Sequence, residues 1–143
     1  MPLHYRRVTY RYTNTGADLE KIYRRIWELN RQQAWSQSAR WRPPTDVLES
    51  PLGLLVKVEL AGVREDDVEI TLFEDALVVA GQRREEYPEG IDCRGQECRY
   101  HESGVRYGEF RTEVYLPVRV DADRVTARYD NGFLYVILPR REM

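Results

Sequence analysis

The chain has 143 residues, with 22 Lys and Arg against 24 Asp and Glu for a net charge of −2, a balance that excludes a polyelectrolyte over the chain as a whole. With 42% hydrophobic and 11% aromatic residues it is not disordered throughout, and a domain of this length buries roughly 69% of its unfolded surface, enough for a core without metal support. No apolar run approaches the roughly 18 residues that span a bilayer, residues 1–10 lack a secretory leader's apolar stretch, and two cysteines are too few for a disulfide framework; a soluble, cytoplasmic protein without a membrane span is expected.

The charge is unevenly placed. Residues 1–42 hold nine basic and three acidic side chains, a net +6, and residues 43–143 hold 13 basic and 21 acidic, a net −8. A basic arm on an acidic body suits contact with the bodies of neighbouring subunits, an acidic lipid surface or nucleic acid, and equally a solvated arm. Along that arm, Val8, Tyr10 and Tyr12 alternate weakly with Arg7, Thr9 and Arg11, the pattern of a short strand or an extended segment. Leu19, Ile22, Tyr23, Ile26 and Trp27 then recur at steps of three and four among Glu20, Arg24, Arg25, Glu28 and Arg31. That spacing predicts an amphipathic helix over residues 17–33, opened by Thr15 and Asp18 as an imperfect capping pair. Its apolar stripe must cover either the body or another subunit. A Ser-, Gln- and Arg-rich stretch with Trp35 and Trp41 leads to Pro43-Pro44 and closes an arm of residues 1–41.

From Thr45 the period changes from 3.6 to 2. Asp46-Val47-Leu48-Glu49 reads as a short strand, and Leu54, Val56, Val58 and Leu60 alternate with Leu55, Lys57 and Glu59 up to Ala61-Gly62. Val68, Ile70 and Leu72 alternate next, and residues 77–81 form a buried run after a turn at Glu74-Asp75. Residues 85–104 are long, charged and contain Pro88, Gly90 and Gly95. Phe110, Thr112, Val114 and Leu116 alternate up to Pro117, and Val125, Ala127 and Tyr129 precede Asn131-Gly132, a two-residue hairpin turn. Residues 134–138 close the pattern before Pro139. Six or seven short strands with no helix in the body predict an all-β, antiparallel β-sandwich of immunoglobulin-like type, preceded by the arm.

Chemistry-bearing motifs are missing. The sequence contains no Gly-rich phosphate loop, Ser nucleophile elbow or His-Glu-x-x-His pattern, so no enzyme, cofactor or metal is expected. Cys93, Cys98 and His101 fall within nine residues, but a closed zinc site takes four ligands. The three are ordinary loop residues, or the two thiols form a redox pair.

The body resembles the α-crystallin domain of small heat-shock proteins over residues 42–139. Pro44-Thr45-Asp46-Val47-x-Glu49 resembles the opening strand. Val56-x-Val58-x-Leu60-Ala61-Gly62-Val63 with Asp67-Val68-x-Ile70, Leu77-x-Val79-x-Gly81-x-Arg83, Gly108-x-Phe110 and Leu116-Pro117 follow in family order. The most specific string is Ala127-Arg128-Tyr129-Asp130-Asn131-Gly132-Phe133-Leu134, which matches the family pattern Ala-x-x-x-Asn-Gly-x-Leu. The resemblance implies an ATP-independent holdase, the alternative being a β-sandwich co-chaperone or adaptor that docks onto an ATP-driven chaperone. It implies a client groove lined by Val68, Ile70, Leu72 and Ala127. It also implies a homodimer, or a larger homo-oligomer, in which Arg99, Tyr100, His101 and Glu102 of a dimerisation loop over residues 84–106 pair with Asp46, Val47, Leu48 and Glu49 of the other chain. Clients are expected also to meet Leu19, Ile22, Tyr23, Ile26 and Trp27 of the arm, in preference to that helix lying on a membrane. Nucleic acid is not expected, because the acidic body repels phosphate.

Two positions depart from the family pattern. Thr112 stands where members usually carry an Arg that makes dimer salt bridges, with Arg111 beside it. Only residues 140–143 follow Pro139, with no counterpart of the family's Ile-x-Ile plug. The expectation is therefore dimers or small arm-driven assemblies, or Val8-Thr9-Tyr10 in the plug's place.

Overall fold

The computed structural model describes the backbone of residues 3–5 and 8–10, and residues 40–91, 93 and 98–142 in full. The period-2 pattern becomes seven body strands: β3 (Thr45–Ser50), β4 (Gly53–Glu59), β5 (Val68–Leu72), β6 (Ala76–Arg83), β7 (Gly108–Tyr115), β8 (Thr126–Asp130) and β9 (Phe133–Pro139). Two three-residue strands of the arm, β1 (Leu3–Tyr5) and β2 (Val8–Tyr10), precede them. The predicted helix over residues 17–33 lies outside the described residues.

Two sheets form, in the orders β1-β8-β9-β4-β3 and β2-β5-β6-β7. The body pairings are all antiparallel, and short turns join β3 to β4, β5 to β6 and β8 to β9. Each sheet turns one set of alternate side chains inward. Val56, Val58, Leu134, Val136 and Leu138 from the first sheet share one core with Ile70, Leu72, Leu77, Val79 and Phe110 from the second. Ala76 and Val78 point the other way and pack with Phe73 and Ala80 on the outer face, which is why the run at residues 77–81 shows no alternation.

The predicted hairpin turn forms between β8 and β9, with Asn131 and Gly132 at φ 52° and 81°, where these two residues carry the least penalty. Gly81 answers to a different demand. A methyl group at its position would collide with the backbone carbonyl oxygen of Asp67 and come within 2.9 Å of the Phe110 ring, so the absence of a side chain lets β5 and β6 close up where Val68 faces Gly81.

Thr112 is a polar residue wholly inside the core. The Thr45 hydroxyl donates to the Pro43 carbonyl at 2.9 Å and lies 2.9 Å from the Thr112 hydroxyl, so Thr112 donates to Thr45 in turn. This link ties the start of β3 to β7 across the sandwich. Thr112→Val removes it, and the urea midpoint is expected to fall by the equivalent of about 1 kcal/mol with an unchanged m-value. The neighbouring Arg111 faces outward and contacts Glu113 at 2.7 Å.

Candidate functional site

A sandwich with open sheets has edges, and their unpaired backbone groups are its most reactive surface toward other chains. Within the body, β5 and β8 are the edges on one side and β3 and β7 those on the other. The arm meets the first side. β1 runs antiparallel to β8, with Leu3 opposite Tyr129 and Tyr5 opposite Ala127. β2 runs parallel to β5, with Val8 opposite Ile70 and Tyr10 opposite Leu72. Five residues of sequence separate the middle of one strand from the middle of the other, so the arm forms a clip that adds one short strand to each sheet across their common seam. The weak alternation of residues 4–12 allowed for a strand; it carried no information on the division between two sheets or on the parallel pairing of β2 with β5.

The four residues assigned to the groove fall on these two edge strands. Val68, Ile70, Leu72 and Ala127 are 4%, 1%, 0% and 2% exposed and belong to the main core. Their side chains floor the seam from inside, and the backbone edges of β5 and β8 supply its hydrogen-bonding rims. Tyr129 sits at one end, half-buried, and its hydroxyl donates to the Leu60 carbonyl at 2.8 Å. Desolvation raises its pKa above the usual phenol value.

On the opposite side, Asp46, Val47, Leu48 and Glu49 occupy β3, paired only with β4. Val47 and Leu48 are 45% and 53% exposed, which leaves one apolar side chain uncovered on each face of a strand with one free edge. Arg99, Tyr100, His101 and Glu102 are exposed and lie outside any strand, and no hydrogen bond or ion pair joins them to β3 within the described chain. A strand at this segment, if it forms, requires a partner. The β7 edge is partly covered: Trp41 donates its N–H to Glu109 O and accepts from Arg111 N, both at 3.0 Å, with its ring 5.7 Å from Phe110.

The β6–β7 loop is organised from its base to its tip. Arg84 grips Asp67 through two hydrogen bonds of 2.9 and 3.0 Å, and this holds the Asp67 carboxyl below the usual carboxylate range. Arg64 pairs with Glu86. The Arg83 guanidinium stacks 4.4 Å over the Trp41 ring and donates to the Arg106 carbonyl at 2.8 Å, on the wall of an open cleft of about 630 Å³. Farther out, the hydroxyls of Tyr87 and Tyr100 lie 3.5 Å apart. Near the tip, Cys93 and Cys98 form a disulfide with Cα atoms 5.4 Å apart. The two sulfurs are bonded to each other, so of the open readings the thiol pair holds, and no group of three metal-ligating side chains occurs among the described residues. Trp41 and Arg83 were missed as a stacked pair, since neither lies near the other in sequence. The arm residues Leu19, Ile22, Tyr23, Ile26 and Trp27 lie outside the described residues. No helix among those described is long and apolar enough to cross a membrane.

Comparison with known proteins bears on this arrangement. Residues 46–143 match the Hsp20/alpha crystallin family. The chain is 35% identical over 104 residues to "Heat shock protein 16" of Schizosaccharomyces pombe, a stretch covering 70% of this chain and 67% of that protein. It is 31% identical over 100 residues to "Small heat shock protein C2" of Rickettsia felis, covering 70% of this chain and 61% of that one. Among solved structures, hspA from Xanthomonas axonopodis superimposes with a TM-score of 0.61 at 28% identity, over 72% of this chain and 97% of that one. Heat shock protein 16.0 from S. pombe gives 0.59 at 33% identity, over 71% and 89%.

Proposed function

The chain belongs to the Hsp20/alpha-crystallin family, and from that premise we propose that it is an ATP-independent holdase, binding extended segments of partly unfolded proteins along the β5 and β8 edges and so keeping them from aggregating. One observation carries this reading: both rims accept a short extended strand, β8 in antiparallel and β5 in parallel orientation, as the arm's own residues 3–5 and 8–10 do. Strand addition uses backbone hydrogen bonds and so reads little sequence, which suits a protein that must take many clients. The apolar floor formed by Val68, Ile70, Leu72 and Ala127 supplies a dry base for alternate client side chains, and Leu19, Ile22, Tyr23, Ile26 and Trp27 add apolar contact from the arm. A client that uses the rims must displace the clip.

The same physics supports a homodimer at the opposite side. The β3 edge is long, unpaired and apolar at Val47 and Leu48, and the partner's residues Arg99 to Glu102 complete it as a neighbouring strand. Work in the cytoplasm, without cofactor or nucleotide, completes the reading.

The test is aggregation of a thermally unfolding enzyme, followed by light scattering, with no nucleotide present. At equimolar subunits the expected result is suppression of at least half of the scattering. Equal precipitation with and without the protein rejects the holdase, and suppression that appears only when an ATP-driven chaperone is added identifies an adaptor instead.

A further inference from the structure

The disulfide at the loop tip has no part in client binding as derived above, yet it sits where it matters for assembly. Cys93 and Cys98 are the only cysteines of the chain, and they close a ring of six residues. Cys98 is exposed and immediately precedes Arg99, the first residue of the segment assigned to the partner's β3. Tyr100, within that segment, lies against Tyr87 of the facing limb. An exposed disulfide between near neighbours in sequence is open to attack by a small thiol, and such bonds are the labile ones. A core of this size does not need it for stability.

We propose that Cys93 and Cys98 form a reversible thiol–disulfide site whose redox state sets how tightly two copies of this chain associate. The co-reactant is a low-molecular-weight thiol with its disulfide, as in the glutathione couple. A thiolate of the small thiol attacks one ring sulfur, forming a mixed disulfide and releasing the other cysteine as a thiolate that takes up a proton. A second small thiolate then attacks the sulfur of the small thiol in that mixed bond, releasing the small disulfide and the remaining protein thiolate, which is protonated in turn. Two electrons and two protons pass from two small thiols to the protein, and oxidation reverses each step.

The effect on association follows from chain entropy. A disulfide limits the freedom of whatever chain it closes, so less freedom remains to be lost when Arg99 to Glu102 dock as a strand than when the bond is open. A closure of this length limits the gain to roughly 40-fold. The oxidised protein therefore holds its partner more tightly and exchanges subunits more slowly. The coupling rests on the strand-exchanged pair proposed above, whereas the thiol chemistry stands apart from it.

The experiment uses the full chain in glutathione buffers of graded ratio. Free thiols are counted by alkylation and mass, and subunit exchange is followed by energy transfer between two amine-labelled pools. The expected result is a reversible loss of two thiols per chain, with exchange roughly 5- to 40-fold faster in the reduced protein. The double variant Cys93→Ser with Cys98→Ser is expected to exchange at the reduced rate in every buffer. Thiols that remain free in excess glutathione disulfide, or pair only between chains, overturn the site. Equal exchange rates in the two states, with thiols that titrate, overturn the coupling. A protein monomeric in both states overturns the strand-exchanged pair, and the thiol count tells that failure from the first.

Discussion

Removal of residues 1–12 is expected to raise the affinity of the protein for an extended apolar peptide roughly tenfold. The estimate comes from the clip. Its two strands have three residues each, so closing it forms only a few backbone hydrogen bonds at about 0.5–1.5 kcal/mol net each. Ordering the backbone opposes this, so the clip is only marginally closed. A closed state favoured by about 1.4 kcal/mol reduces a competitor's apparent affinity about tenfold. The deletion leaves the stripe of residues 17–33 in place, so it separates the clip from the arm's other contacts. Fluorescence anisotropy of a labelled peptide checks it. Unchanged affinity means that peptide and clip do not share the rims, and weaker binding means that residues 1–12 are themselves a contact.

Gly81→Ala is expected to be severely damaging for a change of one methyl group, lowering stability by about 3 kcal/mol or more. The added carbon falls on the Asp67 carbonyl oxygen and against the Phe110 ring. Backbone on one side and a fully buried ring on the other give it nowhere to move. Relief requires β5 to swing away from β6, which breaks the pairing of Val68 with Gly81 and disturbs the grip of Arg84 on Asp67. Circular dichroism during urea unfolding is the measurement. Ala80→Gly is the control: it also changes one methyl group on β6, but on the half-buried outer face, and is expected to cost only about 1 kcal/mol through strand entropy. Similar losses in the two variants would remove the steric argument.

Most of the body was legible because its strands are half-buried. Alternation over Leu54 to Leu60 and Phe110 to Leu116 identifies both the element and its inward face, and Asn131-Gly132 fixes a register without tertiary information. The site was legible only as strands. Val68, Ile70, Leu72 and Ala127 alternate as edge-strand residues and as core residues do, and only the strand order shows that they are both. The pairing of Thr45 with Thr112 and the stacking of Arg83 on Trp41 join residues far apart in the chain, which periodicity cannot register. The clip was legible only in part: Val8-Thr9-Tyr10 in the plug's place put these residues at the groove, and they do pair with β5, but three residues are too few for a period, and the pairing of residues 3–5 with β8 depends on where the body's own edges end up.

Adding short strands to two long ladders gives the sandwich two tiers of resistance to opening. β4, β6 and β9 are flanked on both sides by body strands, so their amide protons exchange with solvent only when the whole structure melts. β5 and β8 each owe half their shielding to a three-residue neighbour. Their outward-facing amides exchange by local fraying at the lower free energy of the clip, so a deuterium-uptake map of the resting protein would trace the seam as a fast stripe between slow sheets.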